Sequence, residues 1–213
     1  IIMVMALKPI YDLAKIKRVI VSTYQAVSGA GKEGIDELDA QVREHSEGRE
    51  MTANILPSAS AEKHYPIAFN LIPQIDVFCD NLYTKEEMKM VNETKKIMED
   101  YEMRITATTI RVPVYRSHSE SVNIELEKEV DLGAMREALA KFPGVTVQDD
   151  PSKQEYPMPL YTSEKDDVYV GRLRRDESCE KSYNMWVVGD QIRKGAALNT
   201  LQIAETMIKN GWI

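Results

Sequence analysis

Two β-branched runs stand back to back at residues 103–116 and 119–130, with no helical stretch between them. In the second, Val122, Ile124 and Leu126 alternate with polar residues, the period-two pattern of a strand with one face in a core. Strand character returns at 18–25, 145–148, 167–174 and 183–188, and helical spacing at 3–13, 33–47, 84–100, 132–142 and 195–209. Strands thus come in runs and not in regular βαβ alternation. This predicts an α+β domain, a mixed or antiparallel sheet with helices on one face. Thr84 and Glu87 have capping-box spacing and mark one helix start sharply. Residues 50–66, with Pro57 and Pro66, and 149–165, with Pro151, Pro157 and Pro159, lack periodicity and read as irregular excursions.

Composition removes several function classes. No window of the 213 residues approaches the roughly 18 apolar positions of a membrane-spanning helix. A net charge of −7 argues against a nucleic-acid surface, which needs clustered Lys and Arg. Cys79 and Cys179 lie far apart and outside any CxxC spacing, so both are expected to pack as small hydrophobes in a reducing cytoplasm. With only His45, His64 and His118 besides, no metal site is expected. Trp186 and Trp212 read as packing residues. The opening Ile1-Ile2-Met3-Val4-Met5 reads as the interior of a helix entered partway, which predicts that sequence preceded it.

Gly29-Ala30-Gly31-Lys32-Glu33-Gly34 matches the GxGxxG spacing of a dinucleotide turn between a strand and a helix. Residues 50–66 do not supply the second parallel strand, and no acidic residue closes one. A phosphate-binding Walker loop is also excluded, because position 26 is Ala and Glu33 follows Lys32 where Ser or Thr would hold magnesium. A cofactor turn, a purely structural turn and a substrate-site loop remain the three readings of this segment.

The stretch from Ser22 to Gly31, with Tyr24-Gln25-Ala26-Val27 at its centre, resembles the active-site loop of the aspartate-semialdehyde dehydrogenase family. Met3-Val4-Met5-Ala6-Leu7-Lys8-Pro9 is similar to the helix after that family's nucleophile motif. Glu86-Glu87-Met88-Lys89, Arg111-Val112, Arg116-Ser117-His118-Ser119, Val170-Gly171-Arg172-Leu173, Gly189-Asp190-Gln191 and Gly195-Ala196-Ala197 complete the resemblance, in order, over nearly the whole chain. It implies a domain of the glyceraldehyde-3-phosphate-dehydrogenase C-terminal type. Residues 1–14 would be the helix following the nucleophile, 15–188 the catalytic and dimerisation domain, and 189–213 a helix returning to a cofactor domain.

The implied reaction is reductive dephosphorylation of β-aspartyl phosphate to aspartate semialdehyde, with NADPH as hydride donor and a cysteine thioester on the path. It would serve lysine, threonine, methionine and diaminopimelate synthesis in the cytoplasm. The implied partners are a second copy of the chain, as homodimer or tetramer, together with the small-molecule substrate and phosphate. In this resemblance His118 is the general acid/base, suited by an ordinary pKa near 6.5; read without it, His118 is a hydrogen-bonded histidine at a strand end. Arg111 would fork onto the substrate α-carboxylate, Glu86 take the amino group and Lys89 the phosphate. Read alone, those two are a surface ion pair. Gln25 would orient the acyl intermediate, and Gln191 and Asn199 would face the nicotinamide of NADP. The nucleophilic cysteine would lie before Ile1, so the chain alone is expected to be inactive. Two alternatives are a non-catalytic dimerisation module and an N-acetyl-glutamyl-phosphate reductase. Arg111 and His118 are seven positions apart and would face opposite ways on one continuous strand, so a break near Pro113 is predicted.

Overall fold

The computed structural model describes residues 1–213. Strands β1 (Ile16–Gln25), β2 (Arg104–Arg111), β3 (His118–Leu126), β4 (Val145–Val147), β5 (Val168–Arg175) and β6 (Ser182–Gly189) form one six-stranded sheet in the order β2-β1-β3-β6-β5-β4. Parallel pairs β1–β2 and β4–β5 flank antiparallel pairs β1–β3, β3–β6 and β5–β6, so the sheet is mixed, as the strand runs imply. The helices are α1 (Ile2–Leu13), α2 (Gly31–Ser46), α3 (Lys85–Met98), α4 (Leu132–Lys141), the short α5 (Pro159–Thr162) and α6 (Leu198–Lys209). No helix is long and apolar enough to cross a membrane.

One sheet face carries the main core. Val19 and Val21 of β1, Val122, Ile124 and Leu126 of β3, and Met185 and Val187 of β6 are buried there with Met3, Ala6, Leu7 and Ile10 of α1 and Met135 and Leu139 of α4. The alternation at 122, 124 and 126 therefore has the inward parity read from sequence. Helices α1, α3 and α4 pack on this side, matching the expected one-faced arrangement. Helix α2 departs from it: Leu38 packs at the end of β1 with Val27, Leu56, Ile67 and Ile72 in a second, smaller core. Two buried polar side chains of α2 tie down the excursion after it. Glu37 accepts from the amides of Asn54, Ile55 and Leu56, and Gln41 from those of Ile67 and Ala68. An apolar core alone could not satisfy that irregular backbone.

The long strand expected over 103–116 stops at Arg111, and β3 begins at His118. Between them Pro113 cannot donate to a ladder, and Ser117 turns the chain with φ 74°. The break is the predicted one, but it does more than restore a shared face: it carries the chain across the end of β1, leaving β2 and β3 on opposite flanks of that strand. Trp212 was expected to pack and does not. It is 69% exposed just beyond α6, a helix with no buried residue, on which Leu201 and Ile208 are also exposed.

The capping box that starts α3 is fully formed. Glu87 N–H donates to Thr84 Oγ1 and Thr84 N–H to Glu87 Oε2 (2.8 Å). The other oxygen of Glu87 accepts the amide of Thr109 on β2 at 3.0 Å, so one carboxylate fixes the helix start to the sheet edge. Thr84→Ala should cost about 1 kcal/mol, as helix caps do. Glu87→Ala, which strands two buried amides, should cost about 2–4 kcal/mol. Urea unfolding of the two variants checks the order, and equal losses would contradict the bridging role.

Candidate functional site

The register of β1 assembles the site. Gln25 at its carboxyl end pairs with Arg111 on β2, and the next pair outward from Tyr24–Ser119 sets His118 of β3 on its other flank. His118 in turn pairs with Gly189 of β6. Arg111, Gln25, His118 and Gly189 therefore form one row across four strands, on the inward face. One row deeper, Thr109, Thr23, Glu120 and Val187 repeat the arrangement.

Gln25, Arg111 and His118 of the first row and Thr23 and Glu120 of the second line a cavity of about 450 Å³, which the first turn of α1 and α3 also line. Gln25, Arg111, His118, Glu86 and Lys89 all line it, as does Gln191. Six of the seven residues singled out from the sequence are thus brought together. Asn199, on α6, is not among the lining residues.

Arg111 is 3% exposed and makes no ion pair; its Nη1 donates to the carbonyl of Ala26 at 2.7 Å, while Nε has no partner. Burial lowers its pKa to about 10, with Glu86 opposing, and leaves the guanidinium charged at neutral pH. A buried cation without a counter-ion is costly, and a ligand carboxylate is the group whose geometry it matches. Gln25 is oriented by its neighbours: its Oε1 accepts from Thr23 Oγ1 (2.9 Å), and its Nε2 donates to Glu86 Oε1 (3.3 Å). Glu86 also faces Lys89 Nζ at 3.5 Å. The helix pair read as a surface ion pair thus has its carboxylate turned into the site.

The imidazole of His118 accepts the amide hydrogen of Ala26 at Nδ1 (3.1 Å). Burial, reinforced by the Arg111 charge, pushes its pKa well below the ordinary imidazole value. Gln191 clips two loops together, accepting from Ser117 N–H (3.1 Å) and donating to Ser28 Oγ (2.6 Å). Asp190, fully buried, pairs with Arg116 (3.0 Å) and accepts from the amides of Ile192 and Arg193, which starts the last helical segment.

Of the three readings of the glycine-rich segment, the geometry favours the substrate-site loop. Val27–Ala30 forms a single 3-10 turn, and Gly29 lines the cavity where a Cβ would lie 2.7 Å from Arg111 Nη1 and 3.5 Å from His118 Cε1. Gly34 packs its helix against the carbonyl of Val27. Neither cysteine lines the cavity. Cys79 is half-buried, and Cys179, expected to be packed, is instead exposed near the β5–β6 turn.

Glu120 escaped the sequence reading. It is 6% exposed, its Oε2 has no hydrogen-bond partner, and burial holds its carboxyl well above the usual range. The signal was present: continuing the even-numbered parity of Val122 toward the strand start points both Glu120 and His118 inward. The parts of Ala26 and Gly29 left no such signal, because they act through backbone atoms and through an absent side chain.

Residues 7–194 match the family described as semialdehyde dehydrogenase, dimerisation domain. The aspartate-semialdehyde dehydrogenase of Aquifex aeolicus is 53% identical over 99% of this chain and 60% of its own length. That of Bacillus subtilis is 50% identical over 97% and 60%. Among solved structures, aspartate semialdehyde dehydrogenase II of Vibrio cholerae, complexed with ASA, superimposes with a TM-score of 0.90 at 44% identity, covering 98% of this chain and 59% of that one. The chain thus spans about three fifths of the length of the curated relatives it matches.

Gly29→Ala should push the Arg111 guanidinium aside. Loss of one charged hydrogen bond, about 1.5–3 kcal/mol, corresponds to at least a roughly tenfold weaker affinity for a small carboxylate ligand. Titration calorimetry on the protein measures it, and unchanged affinity would show that the guanidinium has room to give.

Proposed function

The chain belongs to the semialdehyde dehydrogenase family, whose dimerisation domain it carries, and on that premise we propose that it forms the catalytic and dimerisation part of an aspartate-semialdehyde dehydrogenase. The observation that supports this most directly is the buried, unpaired guanidinium of Arg111 beside a carboxylate, an amide and an imidazole in one small cavity. An amino-acid semialdehyde has the matching groups. Its α-carboxylate would lie on Arg111, its ammonium on Glu86, and its reacting carbonyl near Gln25 and His118. Lys89, exposed at the cavity mouth, would attract the phosphate.

NADP fits these residues only at its nicotinamide end. Gln191 and Gly195 line the cavity, and the nicotinamide would lie beside them. When bound, the cofactor would supply the hydride exchange, and on this reading its remaining parts would be held by a further domain. The exposed apolar side chains of α6, with Trp212, support the reading that residues 189–213 return to such a domain. Asn199 on that helix would then face the cofactor from outside the present cavity.

A second copy of the chain would cover the outward sheet face. Tyr24 and Trp186 touch there, with ring centroids 5.5 Å apart, among Ile20, Ile110 and Ser121. Whether two such dimers join as a tetramer is read directly by light scattering on the longer protein. The place proposed is the cytoplasm, in the amino-acid synthesis leading to lysine, threonine and methionine.

The N-acetyl-glutamyl-phosphate reductase alternative has weaker support, because an acylated amino group leaves the Glu86 carboxylate without a cation to receive. The longer protein should form NADPH from aspartate semialdehyde and phosphate and leave N-acetyl-glutamate semialdehyde nearly untouched. Arg111→Ala should raise KM for the semialdehyde at least about tenfold. The 213-residue chain alone, with neither cysteine at the cavity, should show no turnover. NADPH formation by that chain would refute its predicted inactivity, and preference for the acetylated substrate would refute the assignment.

A further inference from the structure

The inward parity of β3 sets a second carboxyl in the cavity wall, one that none of the semialdehyde's groups is assigned to. Glu120 lies one row deeper than His118, between Thr23 of β1 and Val187 of β6. It is 6% exposed, lines the cavity, and its Oε2 has no hydrogen-bond partner. Neither cross-strand side chain offers it a hydrogen. Val187 is apolar, and Thr23 has given its single hydroxyl hydrogen to Gln25 Oε1 at 2.9 Å. Thr23 Oγ1 can therefore accept from a protonated carboxyl, but it has nothing to donate to a carboxylate. A carboxylate short of donors is costly to bury, and burial accordingly raises the Glu120 pKa above the ordinary range.

Few charged groups share the cavity with it. Arg111 of β2 is the one buried cation in the lining, and its guanidinium bonds only to the Ala26 carbonyl. On α3, Lys89 is exposed and paired with Glu86, and Glu93 is exposed. His118, next outward on β3, is kept neutral by burial and by Arg111. β1 adds Thr23 and Gln25, and β6 adds Val187 and Gly189, none of them titratable. The first turn of α1, Ile1 to Val4, has no ionisable side chain, and the amino group of Ile1 opposes the rise at Glu120 without cancelling it. One buried positive charge thus balances the negative charge held deep in the cavity. A ligand carboxylate on Arg111 and an ionised Glu120 compete for it, so arrival of the first favours protonation of the second.

We propose that this site binds its ligand together with a proton: a carboxylate comes onto Arg111, and a hydrogen ion drawn from the solvent settles on Glu120. The inference rests on the semialdehyde reading, which puts the ligand's α-carboxylate on Arg111. The balance is closed by the solvent. An ionised Glu120, a hydrogen ion and the ligand become a complex holding a neutral carboxyl, with no other bond made or broken. The sign of the pH dependence follows. At low pH Glu120 is already neutral, and the ligand binds at full strength with no proton exchanged. As pH rises and the empty site ionises, each ligand must bring a proton with it. Affinity then falls by up to about tenfold per pH unit, until Glu120 stays ionised in the complex as well.

Titration calorimetry of the protein with L-homoserine, the stable alcohol counterpart of the semialdehyde, counts the protons when run in buffers of different ionisation heat. Uptake should rise from near zero at about pH 5.5 toward one proton per ligand near pH 8, with affinity weakening roughly tenfold over the last unit. Glu120→Gln, which keeps the shape and cannot ionise, should hold the low-pH affinity throughout and take up no proton. Binding without proton uptake in the unsubstituted protein, or uptake that persists in Glu120→Gln, would overturn the proposal. Carbon-13 NMR of the protein labelled at its glutamate carboxyls follows the group directly, with the Glu120 signal assigned by its loss in Glu120→Gln. Saturating sodium acetate should raise its midpoint by at least about one pH unit, and an unmoved midpoint also overturns the idea. A midpoint that rises with acetate while homoserine fails to bind would sink the semialdehyde reading and leave the proton coupling standing.

Discussion

Strand β1 is hydrogen-bonded on both flanks, parallel to β2 and antiparallel to β3, and the placement of every group in the cavity follows from that double register. Sliding either neighbour by one residue would turn its whole inward set outward, because side chains alternate with a period of two. Arg111 and His118 could not then flank Gln25. The buried apolar side chains at Val19, Val21, Val122 and Ile124 forbid such a slip, so the same hydrophobic pattern that makes the core also aligns the polar row at its end. Packing energy spent deep in the sheet thereby holds the geometry at its rim.

The cavity holds polar groups that the protein does not satisfy for itself. Arg111 lacks an ionic partner, and Glu120 is buried without even a hydrogen bond to Oε2. A fold selected only for stability would replace such groups with apolar side chains of similar size. Their presence beside the neutral imidazole of His118 describes a space shaped for a polar guest, with the guest supplying the missing partners.

Much of this was legible in the sequence, and the parts that were not have definite physical causes. The capping box at Thr84 and the alternation through Leu126 are local patterns, and both appear as read. The seven-residue interval between Arg111 and His118 raised a true geometric difficulty, and Pro113 marked where it is resolved. That the resolution is a crossing over β1 depends on long-range pairing, which no local window contains. The lowered basicity of His118 was invisible because it arises from burial and from Arg111, a partner on another strand. Expectations for Cys179 and Trp212 failed because residue type predicts average burial, whereas these two lie at a turn and beyond a helix whose apolar side has no cover in this chain.

The carboxylate of Glu87 has one more consequence, for the sheet as an assembly. By taking the Thr109 amide it occupies part of the outer margin of β2, and Ile72 takes both backbone groups of Arg111 on that same margin. At the opposite end the sheet finishes on β4, only three residues long, too little ladder to template another chain. Both borders thus offer little free ladder beside these contacts, which works against strand-by-strand growth and fibrous stacking.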